Sequence, residues 1–140
     1  MKKNGFTLFE LLVSISIIAI LTALVSLSYS AVQKKARDAR RRQDMGSVQK
    51  AAEQYYSLSG YNYPSTTAPA DWEVDSQAIL NVFPTDPKGT GWTGYSCSSI
   101  GATAYCCCAK MEDDDNGNSA VTDCSGFATT GDYYCIKSQQ

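Results

Sequence analysis

The sequence predicts an α+β protein: a long N-terminal helix packed on a small C-terminal antiparallel sheet that disulfides stabilise. Three observations carry this. No proline interrupts residues 6–58, and Gly46 is the one glycine in that stretch. All six cysteines, Cys97, Cys106, Cys107, Cys108, Cys124 and Cys135, lie in the last third of the 140-residue chain. Around them run short segments rich in Tyr, Thr and Ser, split by Gly, Asn and Asp, which is the punctuation of strands and turns. This length holds one domain.

The helix opens with "KKNGFTLFELLVSISIIAIL", residues 2–21, and Glu10 is the only charged side chain between Phe6 and Val32. About 20 apolar residues cross a bilayer, so residues 6–32 read as a transmembrane helix. A cleaved secretory signal competes with that reading. Lys2 and Lys3 give it a basic start, and Ser28, Ser30 and Ala31 give it small residues for cleavage. Its apolar core, Leu11 to Leu27, is however longer than the usual ~7–15 residues. Neither a signal peptide nor a plain anchor explains Glu10, because a carboxylate at a bilayer helix centre costs roughly 2.5–3.5 kcal/mol.

The helix is expected to continue past the membrane, since residues 6–58 would run for roughly 80 Å at 1.5 Å per residue. Ser14, Ser16, Ser26 and Ser28 are placed to bond back to helix carbonyls. Over residues 33–60 the pattern turns one-sided. Met45, Val48, Ala52 and Tyr55 share one helix face and are expected to cover a globular head, residues 61–140. The other face carries "KKARDARRRQD", Lys34 to Asp44, which reads as a solvated, salt-bridged face or as a contact surface for phosphates or acidic patches.

Gly60 caps the helix and Pro64 ends it. Residues 65–83 read as a connection in which "SQAILNVF", Ser76 to Phe83, is a short helix capped by Ser76. "FPTDPKGTGWTGYS" reads as a turn. Residues 94–100, 103–112 and 132–138 read as three strands. Alternation along the middle one puts Cys106 and Cys108 on one face and Cys107 on the other. Cys124 and Cys135 are each expected to bond that middle strand. Such a framework offsets a small core and places the head in an oxidising compartment.

Charge and motifs exclude several functions. Residues 1–50 carry nine Lys/Arg against three Asp/Glu, and residues 51–140 carry three against eleven. The acidic outer part would repel phosphate backbones, so no nucleic-acid partner is expected. There is no histidine, no phosphate-binding glycine loop and no nucleophile motif, so no enzymatic activity and no catalytic residue are expected. Calcium is the one cofactor the sequence raises. "EDDDNGNSAVTD" sets Glu112, Asp114, Asn116 and Asp123 at ligand-like spacings of a twelve-residue loop around Gly117; its competing reading is a solvated acidic turn.

"GFTLFELLVSISIIAIL" behind two lysines resembles the N-terminus of type IV pilins and of type II secretion pseudopilins. The matching residues are Gly5, Phe6, Thr7, Leu8 and Glu10. "AAEQYYSLSGYNYP" again resembles major pseudopilins and related pilins, and Pro84, Asp86, Pro87 and Gly89 resemble the loop of major pseudopilins, which bind calcium in a C-terminal loop of a different pattern. A proline common near residue 27 in the family is missing here. The resemblance implies that residues 1–5 are a leader cut by a prepilin peptidase between Gly5 and Phe6, and that Phe6 is then N-methylated. It implies that Glu10 meets the Phe6 amine of an adjacent copy in a helical homopolymer raised by an inner-membrane assembly platform. The protein would wait in the bacterial inner membrane with its head outside the cytoplasm, then form an extracellular or periplasmic filament. A type IV pilus subunit is the first reading. A pseudopilin of a type II secretion system or DNA-uptake machinery is the alternative. A membrane-anchored or secreted disulfide-rich binding module is the alternative of another class.

Overall fold

The computed structural model describes residues 5–64, 72–99 and 102–140. All of the leader but Gly5 therefore lies outside the described residues. One helix, α1, runs from Leu8 to Leu58. By its contacts the chain forms two units, residues 1–34 and 35–140, which are described in turn.

The first unit holds the apolar part of α1. Every residue from Gly5 to Val25 is exposed, and α1 is the one described helix long and apolar enough to cross a membrane. Its hydroxyls turn inward. Ser14 Oγ donates to the Glu10 carbonyl at 2.7 Å, and Ser16 Oγ to that of Val13 at 2.8 Å. Thr22 Oγ1 lies 3.0 Å from the carbonyls of Ile18 and of Ala19. Each hydroxyl thereby avoids an unmet hydrogen bond in an apolar surrounding. The side chains of Ser26 and Ser28 lie outside the described residues.

The second unit contains the rest of α1 and five strands. β3 (Ser96–Ser99), β4 (Tyr105–Lys110) and β5 (Tyr133–Lys137) form an antiparallel sheet in the order β3-β4-β5. Alternation sets its two faces. Tyr105, Cys107, Ala109 and Ile136 meet Met45, Val48, Ala51 and Ala52 of α1 in the main core. Cys106, Cys108 and Cys135 form a second cluster with Tyr133 and Cys124. The helical stripe read from the sequence therefore covers the sheet, and both faces of β4 are buried.

Three disulfides close this framework: Cys97–Cys107, Cys106–Cys124 and Cys108–Cys135. Cys124 and Cys135 each bond the middle strand, as expected, and β3 supplies the third partner. Bridges at both neighbours and at a loop cross-link every part of the small sheet. The loop on the second face lies close to the sheet because it has glycines. A Cβ on Gly117 would stand 2.1 Å from the Tyr133 carbonyl oxygen, and one on Gly131 2.3 Å from that of Ser119.

One expectation fails. Residues 76–83 are not a helix. β1 (Trp72–Val74) and β2 (Gln77–Leu80) pair as an antiparallel hairpin. Ser76 is no helix cap but a turn residue; Asp75 and Ser76 have φ of 49° and 66°. Two successive left-handed residues are what a two-residue hairpin turn demands. Ile79 and Leu80 then join the core beside Trp72 and Phe83. The helix end is as read: Gly60 has φ 71° and stops α1.

Candidate functional site

Two polar constellations stand out, one at the start of α1 and one buried in the head. At the start, residues 5–7 precede the helix. A Cβ on Gly5 would meet nothing within 4 Å, and Phe6 is 84% exposed. Gly5 and Phe6 thus lie in open chain ahead of the helix. Thr7 is the N-cap. Glu10 Oε2 accepts from Thr7 N at 2.9 Å and from Thr7 Oγ1 at 2.7 Å, and Glu10 N donates to Thr7 Oγ1 at 3.3 Å. This is a capping box, in which side chains of the cap and the third helical residue satisfy each other's backbone donors. The sequence reading gave Thr7 no role, although Thr-x-x-Glu before an apolar run carries that signal. Glu10 is therefore engaged within its own chain, while its exposed carboxylate still has lone pairs for a further donor.

The second constellation centres on Arg41, whose side chain is fully buried. Its guanidinium grips Asp86 through Nε–Oδ2 at 2.7 Å and Nη2–Oδ1 at 2.8 Å. Its Nη1 reaches Asp38 Oδ1 at 2.7 Å and Glu112 Oε1 at 3.0 Å. Arg37 grips Glu112 by a second fork at 2.6 and 2.8 Å, and Lys88 Nζ closes on its Oε2 at 3.1 Å. Three cations thus face three carboxylates. Asp38 also accepts the backbone N–H of Glu112 at 2.9 Å and of Asp113 at 3.1 Å. Arg42 Nη2 donates to the carbonyl and to the side chain of Asn116, and Tyr95 Oη donates to Asp44 at 2.6 Å. Lys88 Nζ lies 3.8 Å from the centre of the Trp92 ring, on which Arg41 also bears.

These contacts shift the groups involved. The Arg37 fork, helped by Arg41 and Lys88, holds the Glu112 carboxyl at about 2 against the opposing effect of burial. Burial, then the bond to Asp44, pushes the Tyr95 phenol up. Burial also pushes the Tyr63 phenol up to about 12, together with its bond to Glu53. Breaking such a buried pair is costly because the surviving charge has no water to turn to. The cluster therefore ties residues 37–44 of α1 to the Asp86 turn and to the loop that follows β4.

This corrects the reading of residues 34–44 as one solvated or partner-facing surface. Arg37, Asp38, Arg41, Arg42 and Asp44 turn toward the head; Lys34, Lys35 and Arg40 remain exposed. Ordinary charge patterning hides this, because the partners are 45 to 75 residues away. Asp86, which read only as a turn residue, does shape the turn, accepting from the Lys88 and Gly89 N–H groups. Its carboxylate additionally grips Arg41.

The four calcium candidates are not gathered. Glu112 is spent on three cations, Asn116 accepts from Arg42, and Asp123 accepts from Ser125 at 2.6 Å and 2.9 Å. Asp114 is exposed. Among the described residues, the one metal-sized group of candidate ligands is Cys106, Cys108 and Cys124, and their sulfurs are in disulfides.

Residues 1–26 match the family model of the prokaryotic N-terminal methylation motif, the signature of type IV pilins and pseudopilins. No curated protein and no solved structure matches the chain.

Proposed function

We propose, from that N-terminal methylation motif, that the protein is a structural subunit that a prepilin peptidase cuts between Gly5 and Phe6 and that polymerises into a type IV pilus filament. The observation that carries the proposal is the motif itself, with Glu10 as the one charge in an otherwise apolar helix segment. After cleavage the nearest cation to Glu10 along the chain is the new Phe6 amine, because the first basic side chain is Lys34. A carboxylate entering a greasy filament core unpaired would cost several kcal/mol. A neighbour's Phe6 amine removes that cost and sets the axial register between copies. The role is mechanical and needs no catalytic residue. The unassembled subunit waits in the inner membrane with its disulfide-bonded head outside the cytoplasm, and an assembly platform there extracts it.

A secretion pseudopilin is the second reading. The Pro84-x-Asp86-Pro87-x-Gly89 turn favours it, because it resembles the loop of major pseudopilins. Mass spectrometry of the mature N-terminus tests the processed-subunit reading shared by both. The expected species starts at a methylated Phe6. A start after Ser28 or Ala31 would mean secretion, an intact Met1 would mean a plain anchor, and either would overturn the proposal. Gly5→Val is expected to leave the precursor uncut in the membrane.

A further inference from the structure

The three disulfides of the head do not rest on the same support. Cys97 and Cys107 stand directly opposite each other in the β3–β4 ladder, and Cys108 and Cys135 in the β4–β5 ladder. If either bridge opens, backbone hydrogen bonds keep its two halves side by side. The Cys106–Cys124 bridge has no such support, because Cys124 belongs to no strand. It ties the tip of residues 120–126 to β4. Hydrogen bonds hold the base of that segment, through the Ser119–Phe127 pairing and through Ser119 Oγ, which lies 2.7 Å from the Val121 carbonyl oxygen and 3.2 Å from that of Gly126. At the tip, the covalent link to the sheet is the bridge.

A thiolate opens a disulfide by attacking one sulfur, so access and the leaving thiolate decide which bridge reacts. Cys106, Cys107, Cys108 and Cys135 are buried, whereas Cys97 and Cys124 are half-buried. Attack at Cys97 would release Cys107 as a thiolate into the apolar core beside Met45 and Val48, where an unpaired charge is costly. Attack at Cys124 releases Cys106. Lys137 stands directly opposite Cys106 in the ladder, so the two side chains leave the same face of the sheet, and a nearby cation favours a departing thiolate. Cys124 also holds φ at 56°, a left-handed conformation unfavourable for a residue with a Cβ, which an open tether relieves. We propose that Cys124 is a thiol-modification site. Its reagent is a low-molecular-weight thiol that is uncharged or cationic, because exposed Asp123 beside it repels an anionic one.

The step balances as follows. The reagent's thiolate attacks Cys124 Sγ, and a new S–S bond joins reagent and Cys124. The Cys106–Cys124 bond breaks, and its electron pair stays on Cys106 Sγ, which takes up a proton. Residues 120–126 lose their link to β4 while the sheet keeps its other two bridges.

The test uses the full-length oxidised protein in detergent, treated briefly with cysteamine, alkylated and mapped by peptide mass spectrometry. The first product is expected to carry cysteamine on Cys124 and one alkylated thiol, Cys106, about tenfold or more ahead of adducts on the other cysteines. Hydrogen exchange of residues 120–126 should quicken about tenfold in that product while β4 stays protected. Glutathione, which is anionic, should react about threefold more slowly at equal thiolate concentration. A first adduct on Cys97, or simultaneous opening of all three bridges, overturns the proposal. Equal rates for the two thiols overturn the assigned class of reagent, and unchanged exchange in the Cys124 adduct overturns the tether.

Discussion

The two stretches of α1 differ in how their chemistry is completed. Over residues 8–25 the helix is apolar all round and wholly exposed, and its one carboxylate is held by a threonine three residues away. Over residues 37–52 the same kind of helix has one covered face, yet that covered side also carries buried Asp38 and Arg41. A helix hydrophobic on every side needs lipid or other copies around it, whereas an amphipathic one needs a single surface to lie on. The first stretch is therefore finished by other molecules and the second by its own chain, through ion pairs and disulfides. Perturbations aimed at the head should leave the apolar stretch untouched, and the converse.

The largest expected effect is loss of the disulfides. Each native bridge contributes about 2–5 kcal/mol in small domains, and total domain stability is only about 5–15 kcal/mol. Reducing all three should abolish cooperative melting of residues 35–140 while detergent-bound apolar helix keeps its helical circular dichroism. Thiol titration of the unreduced, denatured protein should find no free cysteine among the six. Six free thiols would remove the basis for placing the head in an oxidising compartment.

Next in size is Arg41→Ala. It strands Asp38, Asp86 and Glu112 in the interior with less counter-charge, so destabilisation of about 3–5 kcal/mol is expected. Arg40 is the control one residue away. Its side chain is 68% exposed and reaches Asp44 only at 3.4 Å, so Arg40→Ala should change stability by no more than about 0.5 kcal/mol. Equal effects of the two would mean that burial of the cluster carries no energetic weight.

How much of this was legible follows from the range of each interaction. The helix, its stripe Met45, Val48, Ala52 and Tyr55, and the strands at 96–99, 105–110 and 133–137 are periodic, local signals. That Cys124 and Cys135 bond the middle strand was expected, but that they take Cys106 and Cys108 is set by strand register and the loop between. The β1–β2 hairpin was misread because Asp75-Ser76 is an uncommon hairpin turn and "SQAIL" suits either element. The Arg41 cluster was invisible because Asp86 and Glu112 are brought to it by tertiary folding, and a sequence window around residue 41 shows only Asp38 and Asp44 as acidic partners. Thr7 was legible as well, since Thr-x-x-Glu ahead of an apolar run is a local capping signal.

A smaller effect comes with acid. Glu112 titrates at about 2 in the folded head, below its ordinary value of 4.5. A depressed carboxyl stabilises the fold at pH above its unfolded value and loses that contribution as pH falls toward its folded one. About 3 kcal/mol should therefore disappear between pH 4.5 and 2. Chemical denaturation at a series of pH values would show this slope. Glu112→Gln should flatten it while lowering stability at pH 7. A slope unchanged by that variant would assign the acid sensitivity elsewhere.

The smallest expected effect tests the other half of the comparison. Thr7→Ala removes both hydrogen bonds that Thr7 Oγ1 shares with Glu10. Loss of an N-cap costs about 1 kcal/mol, confined to the first turn. Thr7 belongs to the unit of residues 1–34 and the disulfide-bonded head to that of residues 35–140, so melting of the head should not move. Hydrogen exchange of the first-turn amides, measured in detergent, should quicken about fivefold, the kinetic equivalent of that cost. Thr7→Ser keeps the hydroxyl and should stay near wild type. Freed from Thr7 Oγ1, the Glu10 carboxylate still carries its charge, so pairing with a neighbour's amine is not removed. Filament yield should therefore fall far less in Thr7→Ala than in Glu10→Ala, where the charge itself is gone. If the two variants lose filaments equally, the cap geometry and not the charge is what assembly reads at Glu10.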